Sequence, residues 1–90
     1  MNWYVSAHDL RQSFLVFGIW SQIRNGTLRE RVTKTSPGHR GGTSQIVKHY
    51  TARGQHVATT HRLLDSGGAE THWDEKDLIL PSGDKLCRYP

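Results

Sequence analysis

TSQIVKHYTARGQHVATTHRLLDSGGAETHWDEKDLIL, Thr43 to Leu80, decides the fold. Three segments rich in β-branched and aromatic residues are separated by two turn signals, Ala52-Arg53-Gly54 and Ser66-Gly67-Gly68. No proline interrupts them before Pro81. That pattern predicts an antiparallel meander. Its strands are unusually polar. Lys48, His49, Thr59, Thr60, His61, Arg62, His72 and Asp74 lie on it, and with His56 it holds four of the six histidines. The ribbon is therefore both scaffold and candidate site.

The second turn sets a register. With Gly67-Gly68 as the central pair, Leu64 faces Thr71, Leu63 faces His72, Arg62 faces Trp73, His61 faces Asp74 and Thr59 faces Lys76. Alternation then puts Thr59, His61, Leu63, His72, Asp74 and Lys76 on one face, and Thr60, Arg62, Leu64, Thr71, Trp73 and Glu75 on the other. On the first face, Asp74 would orient the His61 ring and favour its protonated form. Lys76 would stabilise charge on a phosphorane-like transition state. A base, an acid and a cation are what RNA cleavage by 2′-hydroxyl attack requires, with no metal. Cross-strand ion pairs on a solvated sheet use the same residue types. The convergence of titratable groups favours a site. The first hairpin leaves open whether Lys48 and Tyr50, or Val47 and His49, share the face of His61.

Upstream of Thr43, the loop Ser36–Ser44 holds three glycines, His39 and Arg40. It is expected to connect two strands, with backbone amides that can form an anion nest. Before it, TLRERVTKT (Thr27–Thr35) alternates. Arg29, Arg31, Thr33 and Thr35 point one way and Leu28, Glu30, Val32 and Lys34 the other. The arginine side suits a phosphate backbone or a solvated edge strand. Leu10, Phe14, Phe17, Trp20 and Ile23 follow helical spacing. Ser6 with Asp9 offers an N-cap, and Asn25-Gly26 a stop. One helix, about Ser6 to Asn25, is expected, with MNWYV before it as a strand or packing arm. Downstream, Pro81-Ser82-Gly83-Asp84 reads as a tight turn and Lys85–Tyr89 as a last strand.

The whole reads as one small α+β domain over residues 1–90: one N-terminal helix, about 6–25, packed on a four- to five-stranded antiparallel sheet, about 27–89. Ninety residues with 34% hydrophobic content make a thin core, so burial should need every large apolar side chain or a partner. Lys plus Arg exceed Asp plus Glu by 12 to 8, which favours a polyanion. Cys87 is the only cysteine, so no internal disulfide and no multi-cysteine zinc site can form. His56 and His61 would point to opposite strand faces, and no HExxH or Walker spacing is present. No metal or cofactor is expected. The longest apolar run, Phe14–Trp20, is too short to span a bilayer, and no membrane partner is expected.

The block PGHRGGTSQIVKHY (Pro37–Tyr50), GQHVATTHRLLDSGG (Gly54–Gly68) and HWDEKDLIL (His72–Leu80) resembles the C-terminal toxin modules of bacterial polymorphic toxin systems. There a glycine-rich loop leads into a histidine-rich meander. The resemblance covers roughly Arg31 to Arg88. A helix followed by an antiparallel sheet is also similar to the metal-free RNases of the barnase, EndoU, colicin and RelE group. The chain departs from those modules in opening on its own methionine with no delivery region. A freestanding toxin, an excised module and a relative without the chemistry all remain open.

The expected function is thus a small, basic, metal-independent ribonuclease acting as a bacterial toxin. His61 would be the principal acid or base, positioned by Asp74. His49, His56 or His72 would be its partner, with Thr59 and Lys76 in the same site. Arg40, Lys48, Arg62, Arg29 and Arg31 would hold phosphate, and Tyr50 and Trp73 would stack on bases. RNA (tRNA or rRNA) and an acidic immunity protein or antitoxin would be the partners. The site of action would be the cytoplasm, after delivery from another cell. The rival readings are a non-catalytic nucleic-acid-binding module and a small protein-binding inhibitor.

Overall fold

Each turn signal read from the ribbon closes a hairpin, and together they build most of one sheet. The computed structural model describes residues 1–89. The elements are β1 (Asn2–Val5), α1 (Ala7–Val16), α2 (Ile19–Arg24), β2 (Arg29–Pro37), a 3-10 turn (His39–Gly41), β3 (Thr43–Tyr50), β4 (His56–Leu64), β5 (Glu70–Ile79) and β6 (Lys85–Arg88). The fold is α+β. N-terminal helices pack on a six-stranded sheet of order β1-β6-β5-β4-β3-β2. It is a meander from β2 to β6, and β1 joins the far edge parallel to β6. The N-terminal aromatic segment is thus a strand. It adds an edge to the expected four or five strands, through bonds such as Lys85 N–H to the Met1 carbonyl.

The single expected helix is two. Ser6 caps α1 by accepting from the Asp9 amide at 3.1 Å. Gly18 then takes φ 64°, a left-handed conformation that interrupts the helical ladder, and α2 restarts at Ile19. Leu10 and Phe14 of α1 and Ile19 of α2 reach the core, where they meet Leu28, Ala58 and Leu78. Leu15 and Val16 remain 58% and 79% exposed, and Phe17 43%. Not every large apolar residue is used, because only one side of the broken helix faces the sheet.

The helices cover one face. On it, Glu75 accepts from Trp20 Nε1 at 2.7 Å and from Arg11 Nε at 3.3 Å. Directly paired residues share a face, so Val47 with Thr60, His49 with Ala58 and Arg62 with Trp73 also lie there. Among the described residues, no helix packs on the second face.

Two bulges adjust the expected β4–β5 register, and a third shifts β2. The second turn is a three-residue loop, Ser66-Gly67-Gly68, closed by Asp65 and Ala69. Leu64 therefore pairs with Glu70, not Thr71. An extra residue at Thr71 restores Leu63–His72, Arg62–Trp73 and His61–Asp74, the three central pairs read from sequence. A further bulge at Lys76 brings Asp77, not Lys76, opposite Thr59. In β2 a bulge at Thr33 turns Lys34 to the uncovered face, opposite Ile46, rather than leaving it with Leu28 and Glu30.

Candidate active site on the uncovered sheet face

β4 and β5 bring two carboxylate-centred clusters to the uncovered face. In the first, Asp74 Oδ1 accepts from His72 Nε2 at 2.9 Å, and Arg88 Nη1 lies 3.7 Å from the same oxygen. Asp74 Oδ2 is 3.7 Å from His61 Nδ1. On the other side of that ring, Nε2 meets Ser44 Oγ at 2.6 Å. A proton on Nδ1, toward the carboxylate, leaves Nε2 as an acceptor, so the Ser44 hydroxyl donates to it. Burial raises the Asp74 pKa, but the bond and charge of His72, then Arg88 and His61, outweigh it and hold the carboxyl below its usual range. Asp74 is an anion between two imidazoles and a guanidinium.

The second cluster centres on Asp77. His56 Nε2 donates to the Ala58 carbonyl at 2.9 Å and lies 3.0 Å from Thr59 Oγ1. Asp77 Oδ1 is 4.0 Å from that nitrogen, and Lys85 Nζ is 3.6 Å from Asp77 Oδ2. The ring packs on Tyr50 with centroids 5.4 Å apart. Burial is the main cause of a lowered His56 pKa. Lys48 and Lys85 add to it, against Asp77 and the Ala58 carbonyl. Lys48 stands opposite Thr59, Arg31 opposite Lys48 and Arg29 opposite Tyr50, so a cationic strip crosses the face from β2. The open pairing question resolves here: Lys48 and Tyr50 share the face of His61, and His49 does not.

Five expected site residues lie elsewhere. His49 is fully buried under the helices, with Nε2 2.7 Å from Thr60 Oγ1, and burial lowers its pKa to about 4. Arg62 is on the same covered face. Its Nε donates to Gln45 Oε1 at 2.7 Å and its Nη1 to Glu30 at 3.1 Å, and its guanidinium stacks on Trp73 at 5.4 Å. The Trp73 indole donates to Glu70. Neither side chain is free to meet a nucleic acid from the uncovered side. Lys76 sits in its bulge and does not face Thr59. Arg40 is in the 3-10 turn at φ 51°, beside a cavity that Ser44 also lines. The anion nest expected around it is largely spent. The Gly38 amide bonds the Gly42 carbonyl, and the Gly42 amide bonds the His39 carbonyl.

The register thus brings together His61, His72, Asp74 and Thr59, with Arg29, Arg31, Lys48 and Tyr50 alongside. Sequence reasoning missed Ser44, Asp77, Lys85 and Arg88. Ser44 lies two pairs along from His61 across β3 and β4, a same-face diagonal that an undetermined first hairpin could not reveal. Among the described residues, no helix is long and apolar enough to cross a membrane. No family model, curated protein or solved structure matches the chain.

Proposed function

We propose that the uncovered face is the active site of a small, metal-independent ribonuclease that acts as a bacterial toxin. The observation that carries the reading is the pair of imidazoles on one carboxylate, His61 and His72 on Asp74, set in a face edged by Arg29, Arg31, Lys48, Lys85 and Arg88. One imidazole takes the 2′-hydroxyl proton as that oxygen bonds to phosphorus. The other protonates the 5′ oxygen as the phosphorus–oxygen bond breaks. Asp74 orients both rings, and the cations offset the charge that gathers on the phosphate oxygens. His61 is the base and His72, the more exposed ring, the acid. Because His61 Nε2 already holds the Ser44 hydroxyl, the substrate hydroxyl displaces it on binding. tRNA and rRNA are the substrate classes, and an immunity protein or antitoxin with an acidic surface would cover the cationic strip.

A binding-only module is the second reading. It draws on Arg29, Arg31 and Tyr50, which line one shallow groove where a phosphate chain and a stacked base fit side by side. The deciding experiment incubates the protein with total RNA and with a tRNA pool, with and without EDTA. Cleavage that survives EDTA and disappears in His61→Ala supports the nuclease. Cleavage abolished by EDTA contradicts the metal-free mechanism. Salt-sensitive binding without cleavage favours the module, and neither activity favours a protein-binding inhibitor.

A further inference from the structure

We propose that Ser44 is a nucleophile activated by His61 and Asp74, and that the cavity beside it takes the acyl part of a carboxylic ester. This does not rest on the RNA-cleavage reading, since the substrate and the bond broken are different. The connectivity is that of a serine relay. Ser44 Oγ meets His61 Nε2 at 2.6 Å, and Asp74 Oδ2 lies 3.7 Å from His61 Nδ1, on the far side of the ring. Nucleophile, base and orienting carboxylate stand in the order the chemistry needs, with the carboxylate step at the loose spacing common before substrate binds. Asp74 is itself fixed, because its other oxygen is held by His72 and Arg88.

Ser44 is on a strand with neighbours on both sides, paired to Ser36 and to Leu63. It lines a cavity of about 660 Å³, a size that suits a small molecule. Pro37, Leu63 and Leu64 supply apolar wall for an acyl chain. Arg40 lines the same cavity and is the one non-glycine residue with positive φ among those described. Holding a bulky cationic residue in that left-handed conformation is strained, and such strain gathers at functional sites. As a cationic donor on the same cavity wall, Arg40 is assigned to the charge that develops on the carbonyl oxygen.

The steps balance without an oxidant or reductant. As Ser44 Oγ bonds to the acyl carbon, its proton passes to His61 Nε2. The ester carbon–oxygen bond breaks, and His61 returns the proton to the departing alcohol. Water then attacks the acyl-serine, gives a proton to His61, and the Oγ–carbon bond breaks to release the acid, with the proton returned to Ser44.

The test uses the full chain and a fluorophosphonate, which forms an Oγ–phosphorus bond as fluoride leaves. Intact mass should show one adduct, and peptide mass should place it on Ser44. Because the adduct is located on the unsubstituted chain, the result does not depend on a variant folding. His61→Ala should slow labelling by at least about 100-fold, and Ser44→Ala should lower p-nitrophenyl butyrate hydrolysis by a similar factor. No adduct, an adduct on another residue, or ester turnover indifferent to Ser44 each overturns the proposal. RNA is not a reagent here, so this outcome and that of the ribonuclease assay are separable.

Discussion

Acidification from about pH 7.5 to about pH 5 should destabilise the fold by about 2 kcal/mol through one side chain, His49. The ring is fully buried, and its only hydrogen bond is to Thr60 Oγ1, leaving Nδ1 unpaired among the described residues. Burial is the main cause that lowers its pKa from 6.5 to about 4, with Arg62 and His56 assisting and Glu30 opposing. The sign follows from proton uptake. Between those two values the unfolded chain binds a proton at this position and the folded chain does not, so stability falls as pH falls across the window. At pH 5 the unfolded form gains a factor of about 30, which is about 2 kcal/mol. His56, lowered by burial, adds in the same direction. Asp74 adds nothing in this window, because His72, Arg88 and His61 outweigh its burial and hold its carboxyl below the usual carboxylate range. Urea unfolding followed by tryptophan fluorescence across this pH range measures the effect. The comparison is His49→Leu with Thr60→Val, which removes the titration without orphaning the hydroxyl. The double variant should keep only the His56 share of the slope. An identical pH dependence in both proteins would refute the reasoning.

The same double variant should still cleave RNA, because His49 is on the covered face, whereas His61→Ala and His72→Ala should each lose at least about 100-fold in cleavage rate. Arg31→Ala and Lys48→Ala should weaken RNA binding evenly across sequences. Each should lower the log–log salt slope by about 1 if it contacts phosphate, as measured by fluorescence anisotropy. Phe14→Ala should cost about 3–5 kcal/mol in urea denaturation, since the ring is fully buried against Trp20 at 5.7 Å. Gly42→Ala should lower the melting temperature and the ester turnover assigned to Ser44 together. A Cβ there would stand 2.4 Å from the Leu64 carbonyl oxygen, forcing apart the backbone at the cavity.

The central β4–β5 register was legible from sequence because two departures cancelled. The turn holds one more residue than a two-residue reading allows, and the bulge at Thr71 absorbs it before Leu63. His61 therefore stands opposite Asp74 as expected. No such compensation follows Lys76, so Thr59 meets a carboxylate instead of an ammonium. Which face the helices would cover was not legible. Arg62 and Trp73 look like nucleic-acid ligands in a one-dimensional pattern, yet Trp20 and Glu75 show them on the packed side. The helix break was written in Gly18, but the apolar spacing runs straight through it. Ser44 was hidden because its relation to His61 depends on the first hairpin. There a bulge at Val57, between the pairs His49–Ala58 and Tyr50–His56, shifts the pairing near the turn.

The central claim, RNA cleavage by 2′-hydroxyl attack on the uncovered face, is tested most directly with an oligonucleotide prepared as RNA and as its 2′-O-methyl form, in EDTA. The RNA should be cut to fragments ending in 2′,3′-cyclic phosphate, the methylated strand should stay intact, and His61→Ala should cut neither. Cleavage of both strands, or of neither by the unsubstituted protein, would contradict it.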